Sequence, residues 1–143
     1  MNENELFLQL IHKNATMGVT SIPTALTLSR NQAMTHTLQQ QLQTYRQIAA
    51  QSQQYAKEHA HTLKKPSSAV LLMTSLTMRM QSLINASPSK LAEHLIQGST
   101  MGTVQMTRSL NHYAQHIDPH LAALGQTLLR SEEQHIQDLK QFL

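Results

Sequence analysis

Residues 11–18, IHKNATMG, can be laid over residues 95–102, LIQGSTMG, without a gap. Extended at the same offset, Phe7, Ile11, Ala15, Gly18 and Ile22 fall on Leu91, Leu95, Ser99, Gly102 and Met106. Steps of four and three keep each set on one face of a helix. Two separated helices therefore carry the same stripe toward a core, each with Thr-Met-Gly at its middle. Each is followed by another long amphipathic stretch. Two similar helical hairpins joined by a longer connection predict a four-helix bundle.

Punctuation sets the remaining boundaries. The first helix is expected from about Asn4 to Leu28, with Pro23 as a kink or break because it lacks an amide donor. Asn31 reads as the N-cap of a second helix reaching about Leu63. Leu38, Leu42, Tyr45, Ala49, Ser52, Ala56, His59 and Leu63 form its seam, and the glutamines around them read as its solvated face. Lys64-Lys65-Pro66-Ser67 closes it. A third, Met-rich helix is expected to about Ile84, with Leu72, Met73, Leu76, Met80 and Leu83 as its stripe. It lies in the connection between the hairpins and reads as a cap over the bundle or an interface. Ser87-Pro88 and Asp118-Pro119 repeat a cap-and-proline start for the fourth and fifth helices. The whole chain, 1–143, reads as one all-α domain of five helices.

Composition agrees and narrows function. Four Gly and four Pro leave few turns, and no segment alternates as a strand does. With no cysteine there is no disulfide, thiolate zinc site or cysteine nucleophile. The eleven Lys and Arg are dispersed, Lys64–Lys65 being the one adjacent pair, so nucleic acid is not an expected partner. The start, MNENELFLQL, is acidic and polar and does not read as a secretory signal. The apolar stretch 69–84 is broken by Thr74, Ser75, Thr77, Arg79, Gln81 and Ser82, so no membrane span is expected and the protein is expected in the cytoplasm.

Glu132-Glu133-Gln134-His135 contains a Glu-x-x-His step. Leu128, Glu132, His135 and Leu139 advance by four, three and four, which places both polar residues on the buried stripe of the fifth helix. With the duplicated hairpin and long crossover, this step resembles the ferritin-like superfamily, in particular a small bacterial member with a degenerate metal site. The resemblance implies a ferritin-like four-helix bundle with an extra helix in the crossover. Its di-iron centre resembles four carboxylates and two histidines, one Glu-x-x-His on each of two helices. Here the repeat offset takes Glu132 and His135 back to Ile48 and Gln51, and the chain has only eight acidic residues. A complete di-iron centre is not expected.

Glu132 and His135 then have two readings. One is a core polar pair, hydrogen-bonded to each other or to Asn14, Tyr45, Ser52 or Ser99; the other is a single divalent-metal site. A second Glu-x-x-His, Glu58 to His61, falls off the seam that His59 occupies and reads as surface. His112, His116 and His120 lie around the end of the fourth helix. His112 and His116, a full turn apart, form a pair of the kind that grips zinc or nickel, but with Asp118 the one acid nearby they read as exposed. Gly18 and Gly102 are expected near the bundle centre on facing helices, as a flat spot where the first and fourth helices approach closely. No nucleophile–base–orienter set, phosphate loop or dinucleotide fingerprint is present. The sequence therefore predicts a non-enzymatic bundle without a cofactor that associates with itself, as a homodimer, or with a protein partner. The alternative is a metal-binding protein in metal handling or oxidative stress.

Overall fold

A computed structural model describes residues 2–63, 79–80 and 82–143. Among them are four helices and no strand: α1 (Glu3–Leu28), α2 (Gln32–Glu58), α3 (Pro88–Tyr113) and α4 (Pro119–Lys140). The expected helix over 67–84 is not seen. Most of it, with Leu72, Met73 and Leu76, lies outside the described residues. Of the rest, Arg79–Met80 is helical and residues 82–85 are turns, so the chain has left the helix before Ile84.

The caps are local chemistry. Asn31 Oδ1 accepts from the Met34 amide at 2.9 Å and Ser87 Oγ from that of Lys90 at 3.2 Å. Asp118 Oδ1 accepts from the His120 amide at 2.9 Å, with Pro119 at the first helical position. Each bond satisfies an amide with no partner inside the helix. Pro23 does not break α1, which continues to Leu28. Its missing donor costs one hydrogen bond, while Ile22 and Ala25 beside it are buried and hold the last turns on the core.

The second helix ends at Glu58, short of the Leu63 that its seam suggests. Ala60 takes a left-handed conformation, φ 53°. The His61 amide donates to Ala56 O at 2.8 Å and the Ala60 amide to Lys57 O at 3.4 Å, which closes a Schellman motif. The expected placement of the two histidines is therefore reversed. His59 leaves the seam and is exposed, while His61 turns back onto α1, its Nδ1 2.9 Å from Glu5 Oε1 and its side chain only 14% exposed. Glu58 stays at the surface, where its carboxylate accepts from Gln54 Nε2 at 2.7 Å. Alanine pays about 1 kcal/mol for a left-handed conformation that glycine adopts freely. Ala60→Gly should raise stability by about that amount, read as a higher Tm; an unchanged or lower Tm would place the stop elsewhere.

Chain direction follows from contacts at the two ends. His61 lies on Glu5, Tyr55 Oη donates to Asp118 Oδ2 at 2.9 Å, and the Asp118 amide donates to Asn4 Oδ1 at 2.9 Å. One end thus gathers the start of α1, the end of α2 and the start of α4. Phe7 packs edge-on against Tyr113, which adds the end of α3. At the other end Arg30 donates to Asn85 Oδ1 at 2.6 Å, just before α3 begins. So α1 and α2 form one antiparallel hairpin and α3 and α4 another. The chain leaves α2 at one end and enters α3 at the other, so the connection 59–87 has the length of a 26-residue helix, about 39 Å, to cover. Between the hairpins α2 packs on α4, and α1 packs on both α3 and α4. Phe7, Ile11, Met34, Leu38, Ile48, Met106, Leu121 and Leu128 are among the fully buried core. No described helix is long and apolar enough to cross a membrane.

Candidate functional site

At mid-height each helix brings a small or polar residue to the interior: Asn14 and Gly18 from α1, Tyr45 from α2, Ser99 and Gly102 from α3, and Glu132 from α4. All are buried, and all border one cavity of about 70 Å3 between the hairpins that opens to solvent. Asn14, Tyr45 and Ser99, expected as core polar partners of Glu132, are thus on its layer. Ser52 is not. It lies two turns along α2, where its hydroxyl donates to Ala49 O at 2.7 Å and meets His12 Nδ1 at 3.1 Å. No spacing in the sequence points to His12, because its partner is on another helix.

The matched glycines do something other than let α1 and α3 approach. A Cβ on Gly18 would run into the base of the Tyr45 ring, and one on Gly102 would lie 3.0 Å from Glu132 Oε1. Each glycine therefore seats a side chain of the helix that follows it in the same hairpin. The two seated groups then meet: Tyr45 Oη donates to Glu132 Oε2 at 2.7 Å, joining one hairpin to the other.

Burial pushes the Glu132 carboxyl up to about 7, against the hydroxyls of Tyr45 and Ser99, whose hydrogen bonds favour the charged form. Tyr45 is itself held well above the usual phenol range by burial and by the charge of Glu132. His135 is pulled down to about 4 by burial, with Asp138 opposing. Its ring meets the Tyr45 ring edge-on, centroids 4.9 Å apart, and its carbonyl accepts from Gln41 Nε2 at 3.4 Å. Tyr45 thus touches both members of the Glu-x-x-His step, Glu132 through its hydroxyl and His135 through its ring. His135 does not border the cavity, and its buried Nδ1 has no hydrogen-bond partner among the described residues. The same is true of Asn14 Nδ2, on a side chain 5% exposed.

The donor set does not fit a di-iron centre. Glu132 is the one carboxyl in the layer, and His135 faces elsewhere. No group of three or more His, Asp or Glu among the described residues is placed to hold a metal ion. His112, His116 and His120 are exposed. An unexpected cluster sits at the bundle end, where Tyr55 stacks on His59 at 3.9 Å and His61 follows at 6.4 Å. The early stop of α2 creates it, and no spacing in the sequence announces that stop. No family model matches the chain, and no curated protein or solved structure resembles it closely enough to count as a match.

Proposed function

We propose that the chain is a ferritin-like bundle that has exchanged metal chemistry for binding, and that it acts by associating with itself or with a protein partner. One observation carries this reading. The central layer is a carboxyl, a phenol, a serine and an amide contributed by four helices, where a di-iron protein of the superfamily resembles a ring of carboxylates and histidines. Tyr45 donates to Glu132 Oε2 at 2.7 Å, so one oxygen of the carboxyl is engaged by a phenol rather than offered to a metal. The ferritin-like arrangement is supported by the path of the chain: two hairpins whose connection runs from one end of the bundle to the other. Association is supported by exposed apolar surface on α3, where Met101, at the border of the cavity, and Val104 are 48% and 51% exposed one turn apart.

Metal analysis and light scattering on the untagged protein test both halves. The native protein should carry no stoichiometric iron, show no ferroxidase activity and scatter as a dimer. A di-iron complement lost on Glu132→Gln would restore the metal-handling alternative. A monomer at high micromolar concentration would remove self-association.

A further inference from the structure

Among the described residues that line it, the cavity beside Glu132 holds a carboxyl and no fixed positive charge. A buried carboxyl is ordinarily paired with a cation, because an uncompensated charge in the interior is expensive. No Lys or Arg is among the described residues that line this cavity. Among the described lining residues the one other titratable group besides Glu132 and Tyr45 is His94, whose imidazole is held below the usual histidine range by burial and then by Arg79 nearby. A carboxylate offers about four lone-pair sites, and Tyr45 and Ser99 engage only part of that capacity. On α1 the Asn14 side chain, 5% exposed, also lines the cavity, and its amide nitrogen has no hydrogen-bond partner among the described residues. A water molecule could satisfy Asn14, but it cannot neutralise Glu132. Between these polar groups Met17, Ile22, Leu95 and Met101 supply apolar wall.

We propose that the cavity binds a small primary ammonium ion bearing an oxygen acceptor, with Glu132 as its counter-ion and the Asn14 amide donating to its oxygen. The class is that of the short amino alcohols. The ammonium group supplies the missing positive charge and donates to Glu132. The oxygen takes the Asn14 donor, and the short carbon link lies against the methionines. Size agrees: a cavity of about 150 Å3 admits benzene, so 70 Å3 takes about three non-hydrogen atoms, and the opening accommodates one or two more. Anions are excluded by charge, and a neutral diol leaves Glu132 uncompensated. Gly102 is part of the site, since a Cβ there would crowd the carboxylate oxygen that receives the ligand.

The groups facing Glu132 fix how binding depends on pH. Among the described residues they are Tyr45 from α2 and His94 from the α3 side of the cavity, with the charge of Arg79 beside His94. His135, one turn on along α4, meets the Tyr45 ring rather than the cavity, and the α1 wall contributes no titratable group. An aliphatic ammonium stays charged through pH 8, as a lysine does. Acidification therefore removes the Glu132 charge and weakens binding.

Calorimetry with ethanolamine on the full-length protein tests the site. At pH 8 it should show saturable binding at one site per chain, falling about thirtyfold by pH 5.5 as Glu132 takes up its proton. Glu132→Gln should weaken binding at least tenfold, and Asn14→Ala on the order of fivefold. Ethylamine, which lacks the oxygen, should bind the wild type and Asn14→Ala equally. Ethylene glycol, which lacks the charge, should not bind. If either variant is unstable, the wild type alone decides: the carboxyl carbon shift of Glu132 should titrate at lower pH with ethanolamine present. No saturable binding, equal binding by ethylene glycol, full displacement by equimolar potassium, or a Glu132 titration indifferent to the ligand would each overturn the proposal.

Discussion

Glu132→Gln should make the protein acid-sensitive between about pH 6.5 and 4.5, although the wild type changes little across that range. Two buried groups of opposite kind account for this. Glu132 titrates at about 7 in the folded chain against an ordinary 4.5, so the folded state keeps a proton that the unfolded state releases. Its stabilising contribution is fully present below about 4.5 and is lost as pH rises through 7. His135 titrates at about 4 against an ordinary 6.5, so the unfolded state takes up a proton that the folded state refuses. Its contribution is present above 6.5 and is lost as pH falls through 4. Each difference corresponds to about 3 kcal/mol, and on acidification the two run in opposite directions. The substituted amide would keep an acceptor for Tyr45 while removing one of the slopes. Denaturant titrations should then show the variant losing about 3 kcal/mol relative to wild type from pH 7 to pH 4. His135→Gln should do the reverse. A Glu132→Gln curve parallel to that of wild type would mean that Glu132 does not hold its proton in the folded chain.

Gly18→Ala should destabilise by about 2 kcal/mol, although alanine is the better helix former by about 1 kcal/mol. The new methyl would meet the first atoms of the Tyr45 ring, which lie close to the α2 backbone and cannot swing aside as the end of a long side chain can. Relief requires the ring to move, and with it the hydroxyl bonded to Glu132. Gly98 is the internal control. It sits on α3, where an added methyl would have nothing within 4 Å, so Gly98→Ala should stabilise by up to about 1 kcal/mol. Thermal melts separate the two, and near-ultraviolet dichroism would report displacement of Tyr45. Equal stability of the two variants would show that the ring does not rest on Gly18.

The helical elements were legible because they rest on local rules. Ser87-Pro88, Asp118-Pro119 and Asn31 start helices where a short polar side chain can reach an amide two or three residues on. The phase of Glu132 and His135 was legible for the same reason, since a step of three or four fixes a helical face. Where α2 ends was not. The stop uses Ala60, a residue that favours helix, and a seam that continues on paper through His59 and Leu63 carries no sign of it. The partners of the matched glycines were hidden as well. A repeat shows that Gly18 and Gly102 occupy equivalent positions, but not that a phenol fills one space and a carboxylate the other. The offset pairs Tyr45 with Leu129 and Glu132 with Ile48, so the halves diverge where the polar layer forms.

The long connection between α2 and α3 has a mechanical consequence. Within a hairpin, residues 29–31 or 114–118 tether the two helices closely, and the turn decides which residues stand side by side. Between hairpins the chain makes no such short turn, and apolar stripes of similar leucines and methionines would fit nearly as well after sliding by one helical turn, about 5.4 Å. That slip would part Tyr45 from Glu132 and break a buried hydrogen bond to a carboxyl, at a cost on the order of 1–3 kcal/mol. The polar layer therefore works as a vernier. Hydrophobic packing brings the hairpins together, and the Tyr45–Glu132 bond, with Tyr55–Asp118 and Asp118–Asn4 at one end, selects the alignment at which they stop.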